Sequence, residues 1–136
     1  MFNVFGFYKF TNITKLKKNK QDLQLYMDKN EVRGFLILAR EGINGTISGK
    51  KNAITLVERK ILKQFNFKTF DSRNNSSSKF QPFHKAKVKI KKEVVPFGLN
   101  LNKQSKKKSI YVEPDKWNEL IKKKTTLLID ARKPFE

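Results

Sequence analysis

The sequence contains no cysteine and a single histidine, His84. Without cysteine, these 136 residues can form no disulfide framework and no thiolate metal site, and they offer no cysteine nucleophile. No metal-ligand spacing, glycine-rich phosphate loop or serine–histidine–acid triad is present either. We therefore identify no metal site, no cofactor-binding motif and no catalytic residue in the chain, and nothing in it specifies an oligomeric state.

Long apolar runs are also absent. No stretch approaches the roughly 18 apolar residues that a membrane-spanning helix needs, and the N-terminus lacks the pattern of a secretory signal peptide. We therefore expect a cytoplasmic protein without a membrane partner. Apolar residues nevertheless make up 38% of the chain and include 12 Phe, which predicts a packed core rather than a disordered chain.

Acidic residues are scarce relative to basic ones, with 12 Asp and Glu against 31 Lys and Arg. The formal charge of +19 predicts a polyanionic partner, with nucleic acid as the first choice. Lys outnumbers Arg by 26 to 5 and Asn is frequent, so an AT-rich coding sequence is an alternative origin of the charge. Composition leaves both explanations open.

Hydrophobic periodicity predicts a ferredoxin-like α+β fold. The predicted strands are residues 2–10, 32–39, 46–48 and 85–95, and the predicted helices are residues 14–30 and 52–64. Their order of strand, helix, strand, strand, helix, strand is the split βαβ pattern of a ferredoxin-like sandwich. Asn44-Gly45 predicts the hairpin turn before the third strand, and Asn52 is the predicted cap of the second helix. Residues 65–70 suggest a short extended segment, and residues 74–78 an exposed polar loop.

The composition changes after residue 95, which predicts a domain boundary. Residues 1–95 form the predicted ferredoxin-like domain, and residues 96–109 read as a basic linker that is rich in Lys and poor in apolar side chains. A short strand from residue 110, a helix starting near Pro114 or Asp115, and a buried strand at residues 126–130 are then expected. Because residues 110–136 are too few to bury a core alone, we interpret them as the start of an incomplete second domain.

The strongest functional signal is a lysine-rich interval at residues 79–108, where ten Lys accompany a single acid, Glu93. In the predicted strand, alternate side chains lie about 6.6 Å apart on one side, which suits contact with a phosphate backbone. The candidate RNA-binding lysines are Lys85, Lys87, Lys89, Lys91 and Lys92. Phe80, Phe83 and Phe97 flank them and are candidates for stacking on unpaired bases. Alternatively, the lysines protect an edge strand against aggregation.

A second candidate site is the segment from Arg40 to Gly45 (REGING). Arg40 and Asn44 are its candidate RNA-binding residues, because glycines allow a ligand to approach the backbone closely. By spacing alone, an ordinary tight hairpin is the favoured interpretation of the same segment.

Four stretches together resemble a known family. They are FYKF at residues 7–10, GFLILAREGINGTISG at residues 34–49, VKIKKEVVPFG at residues 88–98, and YVEPDKWNELI followed by LLIDARKPFE at residues 111–136. The chain resembles the oxygen-dependent tRNA uridine hydroxylases, bacterial rhodanese-domain proteins with an N-terminal ferredoxin-like, or acylphosphatase-like, domain. The AREGINGTISG segment carries the most specific part of the likeness.

This resemblance implies a function in tRNA modification. Family members hydroxylate the wobble uridine to 5-hydroxyuridine, with tRNA as substrate and molecular oxygen as co-substrate. Their essential cysteine lies in the rhodanese domain, beyond the position that matches Glu136. We therefore expect this chain to supply the tRNA-binding N-terminal part and to be inactive alone; the alternative is a non-catalytic RNA-binding or protein-docking module.

Overall fold

The computed structural model describes residues 1–94 and 112–130, and the chain divides into two compact units, Met1–Leu99 and Asn100–Glu136. The elements of the first unit are β1 (Phe2–Phe10), α1 (Leu16–Lys29), β2 (Arg33–Ala39), β3 (Gly42–Gly49), α2 (Lys51–Phe65), β4 (Ser72–Ser78) and β5 (Ala86–Ile90). The predicted linker at residues 96–109 lies outside the described residues, as do the first two residues of the short strand predicted from residue 110. The proposed domain boundaries at residues 95 and 109 therefore stay predictions.

Five strands form one sheet in the order β4-β1-β3-β2-β5. The first four strands and the two helices have the split βαβ arrangement, which confirms the predicted ferredoxin-like α+β class. The lysine-rich segment was predicted to be the fourth strand of that arrangement, and this prediction was wrong. The segment forms a fifth strand, β5, which pairs in parallel with β2. It extends the sheet at the edge opposite β4.

The true fourth strand is the polar segment that was predicted to be a loop. β4 pairs antiparallel with β1 over seven residues, from Phe2 opposite Ser78 to Tyr8 opposite Ser72. Most of its side chains are exposed on both faces, so no alternation of apolar and polar residues marks it as a strand. The prediction was wrong because backbone pairing with β1, which the sequence pattern does not report, holds this segment in place.

The hairpin between β2 and β3 turns earlier than predicted. Ala39 pairs with Gly42, so the two-residue turn is Arg40-Glu41, and Asn44-Gly45 lies inside β3. Gly42 has a φ of +152°, and a Cβ there would lie 2.2 Å from the carbonyl oxygen of Lys9. A Cβ on Gly45 would lie 2.6 Å from the carbonyl oxygen of Phe35. These glycines serve close strand packing, and the Asn-Gly pair is not a turn.

The core lies between one face of the sheet and the two helices. Phe5 and Phe7 of β1 stack with their ring centroids 5.0 Å apart and are almost completely buried. From α2, Ile54, Val57 and Ile61 are buried in the same cluster, and their helical spacing puts them on one face of that helix. The remaining buried apolar side chains with no measurable exposure are Leu23, Met27, Leu36, Leu38, Ala39, Ile43 and Ile47.

Two local predictions around α2 were wrong. Asn52 is not a cap, because α2 begins at Lys51 and no side chain caps its N-terminus. Residues 65–70 form no strand: Phe65 is the last residue of α2, and Asn66 caps the helix in the left-handed conformation. Phe67 and Phe70 then pack edge to face, with their centroids 6.5 Å apart, and Phe70 is buried in the core. Aromatic packing therefore overrides the local strand preference.

The described part of the second unit contains α3 (Pro114–Ile121), which starts where Pro114 predicts. The buried strand predicted at residues 126–130 is not formed. Leu127, Leu128 and Ile129 are 82%, 58% and 75% exposed. An apolar run becomes a buried strand only where neighbouring strands pair with it, and residues 112–130 contain none.

Candidate nucleic-acid interface

The sheet has a second face, opposite α1 and α2, which we call the open face. Strand alternation places every second residue on it, and the strand register lines those residues up in rows. One row crosses the sheet through Tyr8, Asn44, Ile37 and Lys89, and the next through Gly6, Thr46, Phe35 and Lys87. The open face therefore has aromatic and polar residues at its centre and lysines along the β5 edge.

The predicted lysine alternation is present in β5. Lys87 and Lys89 project from the open face, and the Lys89 Nζ lies 5.8 Å from the centroid of the Phe35 ring. Lys85 and Lys91 flank the strand and extend its pairing with β2. The Lys85 carbonyl accepts from the Gly34 N–H at 3.0 Å, and the Lys91 N–H donates to the Leu38 carbonyl at 2.9 Å. We call Lys85, Lys87, Lys89 and Lys91 the lysine row.

The ammonium groups of the lysine row lie close enough to repel one another. The charge of Lys87, local desolvation and the charge of Lys91 together hold the pKa of Lys89 below its ordinary value of 10.5. None of the five strands contains Asp or Glu, so no carboxylate within the sheet offsets this charge. A bound polyanion would relieve the repulsion, which makes this edge electrostatically suited to phosphate.

A residue that no sequence motif marks, Gln24, fixes the position of β5. Gln24 of α1 accepts the Val88 N–H at 2.9 Å through its Oε1, and its Nε2 donates to the Ala86 carbonyl at 3.2 Å. Both backbone groups belong to the outer edge of β5, where another strand would otherwise pair. Because a glutamine amide already occupies this edge, edge protection is a weaker explanation for the lysines. No sequence pattern identifies such a contact across 62 residues.

The structure separates the other candidate residues. Asn44 lies on the open face in the same row as Lys89, two strands away. Arg40 lies in the exposed β2–β3 turn and lines a cavity of about 860 Å³ at the start of α1, together with Lys15, Lys17 and Lys18. Lys92 is exposed in the bend after β5. Arg40 and Asn44 therefore do not form the single site that their proximity in sequence suggested.

Three aromatic residues of the open face were not among the predicted ones. Tyr8 and Phe35 are partly exposed, Phe10 is 41% exposed, and the Tyr8 and Phe10 rings meet edge to face with centroids 5.7 Å apart. The alternation in β1, where Phe5 and Phe7 point to the core, was the signal that could have found two of them. Of the predicted stacking residues, Phe80 is 70% exposed, Phe83 is partly buried, and Phe97 lies outside the described residues.

Metal-binding clusters and membrane-spanning helices are both absent from the described residues. Within residues 1–94 and 112–130, no group of three or more His, Asp or Glu side chains is arranged to hold a metal ion. Over the same ranges, no helix has both the length and the apolar character that crossing a bilayer requires.

Comparison with solved structures supports the fold alone. The chain is similar to Klebsiella pneumoniae BlrP1, with a TM-score of 0.51 and 11% identity over 68% of this chain and 24% of that one. It is also similar to a bacterial light-regulated adenylyl cyclase, with a TM-score of 0.50 and 10% identity over 66% of this chain and 27% of that one. At this level of identity, likeness does not extend to function.

Sequence comparison is more specific. The chain is 60% identical to a tRNA uridine(34) hydroxylase of Pelagibacter ubique over all of this chain and 45% of that protein. It is 36% identical to a tRNA uridine(34) hydroxylase of Prochlorococcus marinus over 98% of this chain and 43% of that one. The chain thus spans less than half the length of these curated relatives. Residues 2–94 match the UPF0176 acylphosphatase like domain. The chain therefore belongs to the family of the UPF0176 acylphosphatase like domain, and its relatives include proteins named tRNA uridine(34) hydroxylase.

Proposed function

We propose that this chain supplies the tRNA-binding part of a cytoplasmic enzyme that hydroxylates the wobble uridine of tRNA. The observation that carries the proposal is the open face, where an acid-free sheet is bordered by the lysine row. The relatives named tRNA uridine(34) hydroxylase supply the substrate class and the type of reaction. Molecular oxygen as co-substrate and 5-hydroxyuridine as product follow from the family resemblance.

The proposed division of labour follows from the residues present. Charge and exposed aromatic rings bind RNA but do not oxidise a base. The 136 residues contain no cysteine, and we assign the oxidation to parts of the longer relatives that this chain does not cover. We accordingly expect the chain to bind tRNA without forming 5-hydroxyuridine.

Binding selectivity tests this proposal. We expect the chain to bind tRNA at near-physiological ionic strength. Heparin that supplies the same number of negative charges as competing tRNA should displace the labelled tRNA less completely. Fluorescence anisotropy of labelled tRNA with unlabelled tRNA or heparin as competitor measures both affinities. Equal competition by tRNA and heparin, charge for charge, would show that the basic surface has no preference for RNA. The competing function, a protein-docking module, predicts that equal competition.

A further inference from the structure

The aromatic rings of Tyr8, Phe10 and Phe35 lie on the open face and do not belong to the hydrophobic core. Phe5 and Phe7 fill the helix-covered side of β1, whereas Tyr8 and Phe10 point away from the core on the same strand. Phe35 of β2 likewise lies on the side opposite Leu36 and Leu38. A cluster of apolar and aromatic side chains that stays accessible on a sheet marks an interaction surface.

The positions of the two central rings suit the binding of separate bases. Tyr8 and Phe35 lie on strands two apart and are offset by two residues along the strands, which places them about 12 Å from each other. Asn44 and Thr46 of β3 lie between them, and Gly6, in the same row as Phe35, has no side chain to fill the space beside Thr46. Four-stranded sheets of RNA-recognition motifs stack two or three unpaired bases on aromatic residues of their exposed face.

The lysine row lies beside these rings rather than on a distant surface. Lys87 is the direct neighbour of Phe35 in the strand register, and Lys89 reaches over the Phe35 ring. The connection from β4 to β5 covers the far end of the face, where Gln81 and the buried Ser48 hydroxyl form a hydrogen bond, but the rows of Tyr8 and Phe35 stay partly exposed. On the β4 side, Ser72 and Asn74 border the rings with uncharged donors and acceptors.

We propose that the open face binds unpaired nucleotides, with bases stacked on Tyr8 and Phe35 and the phosphates held by the lysine row. The interface would then prefer an open RNA loop to a duplex, because paired bases cannot leave the helix to stack on a protein ring without losing their pairing. This inference rests on the proposed tRNA binding and specifies its mode. The absence of Asp and Glu from the strands favours RNA over a protein segment, which would not need an acid-free surface.

Ring-deleting and ring-retaining substitutions test the stacking. The variants are Tyr8→Leu and Phe35→Leu, compared with Tyr8→Phe and Phe35→Tyr, which keep an aromatic ring. Trp117→Leu removes a ring that is 45% exposed in the second unit and serves as the matched control. The probes are a labelled RNA hairpin with an unpaired loop and a blunt RNA duplex of equal length, and circular dichroism melting verifies that each variant is folded.

We expect each Leu variant to bind the loop RNA about five- to hundredfold more weakly than the parent, as loss of one stacked base predicts. The Leu variants should match the parent in their affinity for the duplex and in the slope of affinity against salt. Tyr8→Phe and Phe35→Tyr should match the parent in their affinity for the loop RNA. Equal weakening on loop and duplex, or unchanged binding of the Leu variants to the loop, overturns the stacking proposal. The second result leaves the proposed function intact if substitution of the lysine row still weakens binding; if neither set of substitutions matters, tRNA binding by this face fails as well.

Discussion

The lysine row allows a quantitative prediction about salt dependence. We consider replacement of all four of its residues with Ser, a change that alters exposed or partly exposed side chains and leaves the β5 backbone pairing in place. If each lysine neutralises one phosphate of a single strand, the slope of log affinity against log salt should fall in magnitude by about 2.8, which is 0.7 for each contact. Between about 50 and 200 mM salt, the parent should then lose about 50-fold more affinity than the variant.

The assay is tRNA binding by fluorescence anisotropy at several salt concentrations, with a control variant that carries the same change in charge. Lys20, Lys29, Lys51 and Lys63 are exposed on α1 and α2, away from the open face, and their replacement by Ser removes four charges there. The control should change the slope far less than the lysine-row variant. Equal slopes for the parent and the lysine-row variant, or an equal fall in both variants, would refute the reasoning and favour a diffuse charge without a defined site.

Three further predictions concern the fold that presents this surface. Gln24→Ala leaves the Val88 N–H without its partner, and it should lower the free energy of unfolding by about 1–3 kcal/mol in urea titration. Gly42→Ala should cost at least about 2 kcal/mol in the same measurement, because φ is positive and the new Cβ would meet the Lys9 carbonyl; an unchanged midpoint would contradict the strand register. Partial burial raises the pKa of Asp71, but its bonds to the Lys9 ammonium and a backbone N–H outweigh this and lower it below 3.8. Its stabilising contribution should therefore be present near neutral pH and lost as the pH falls through that lowered pKa, so thermal melts of Asp71→Asn and the parent should converge in acid rather than diverge.

The hydrophobic pattern identified most of the architecture without tertiary information. Ile54, Val57 and Ile61 recur at helical spacing and are buried on α2, and the apolar segment at residues 32–39, predicted to be a strand, contains β2, which is paired on both sides. These predictions held because burial of an apolar face leaves a period in the sequence. The alternation of lysine with Val88 in β5 was readable for the same reason.

Errors occurred where neighbouring strands decide the conformation. The segment Ser72–Ser78 buries little side-chain surface and becomes a strand only because β1 offers it an unpaired edge. Asn44-Gly45 is a strong local turn signal, yet the close contact of Gly45 with Phe35 places it inside β3. The conformational preference of a short segment is outweighed by the hydrogen bonds that it forms with neighbouring strands of the sheet.

The sequence by itself determined the charge, the fold class and the candidate lysines, since composition and periodicity are properties of the chain. Only the tertiary structure decided that these lysines border an open face with Tyr8 and Phe35 at its centre, and that Gln24 fixes their strand. Residues from β1, β2 and β5 become neighbours through strand order and register, which depend on packing between distant segments. Short-range pattern contains no record of that pairing, so the composition of the surface could be predicted but its arrangement could not.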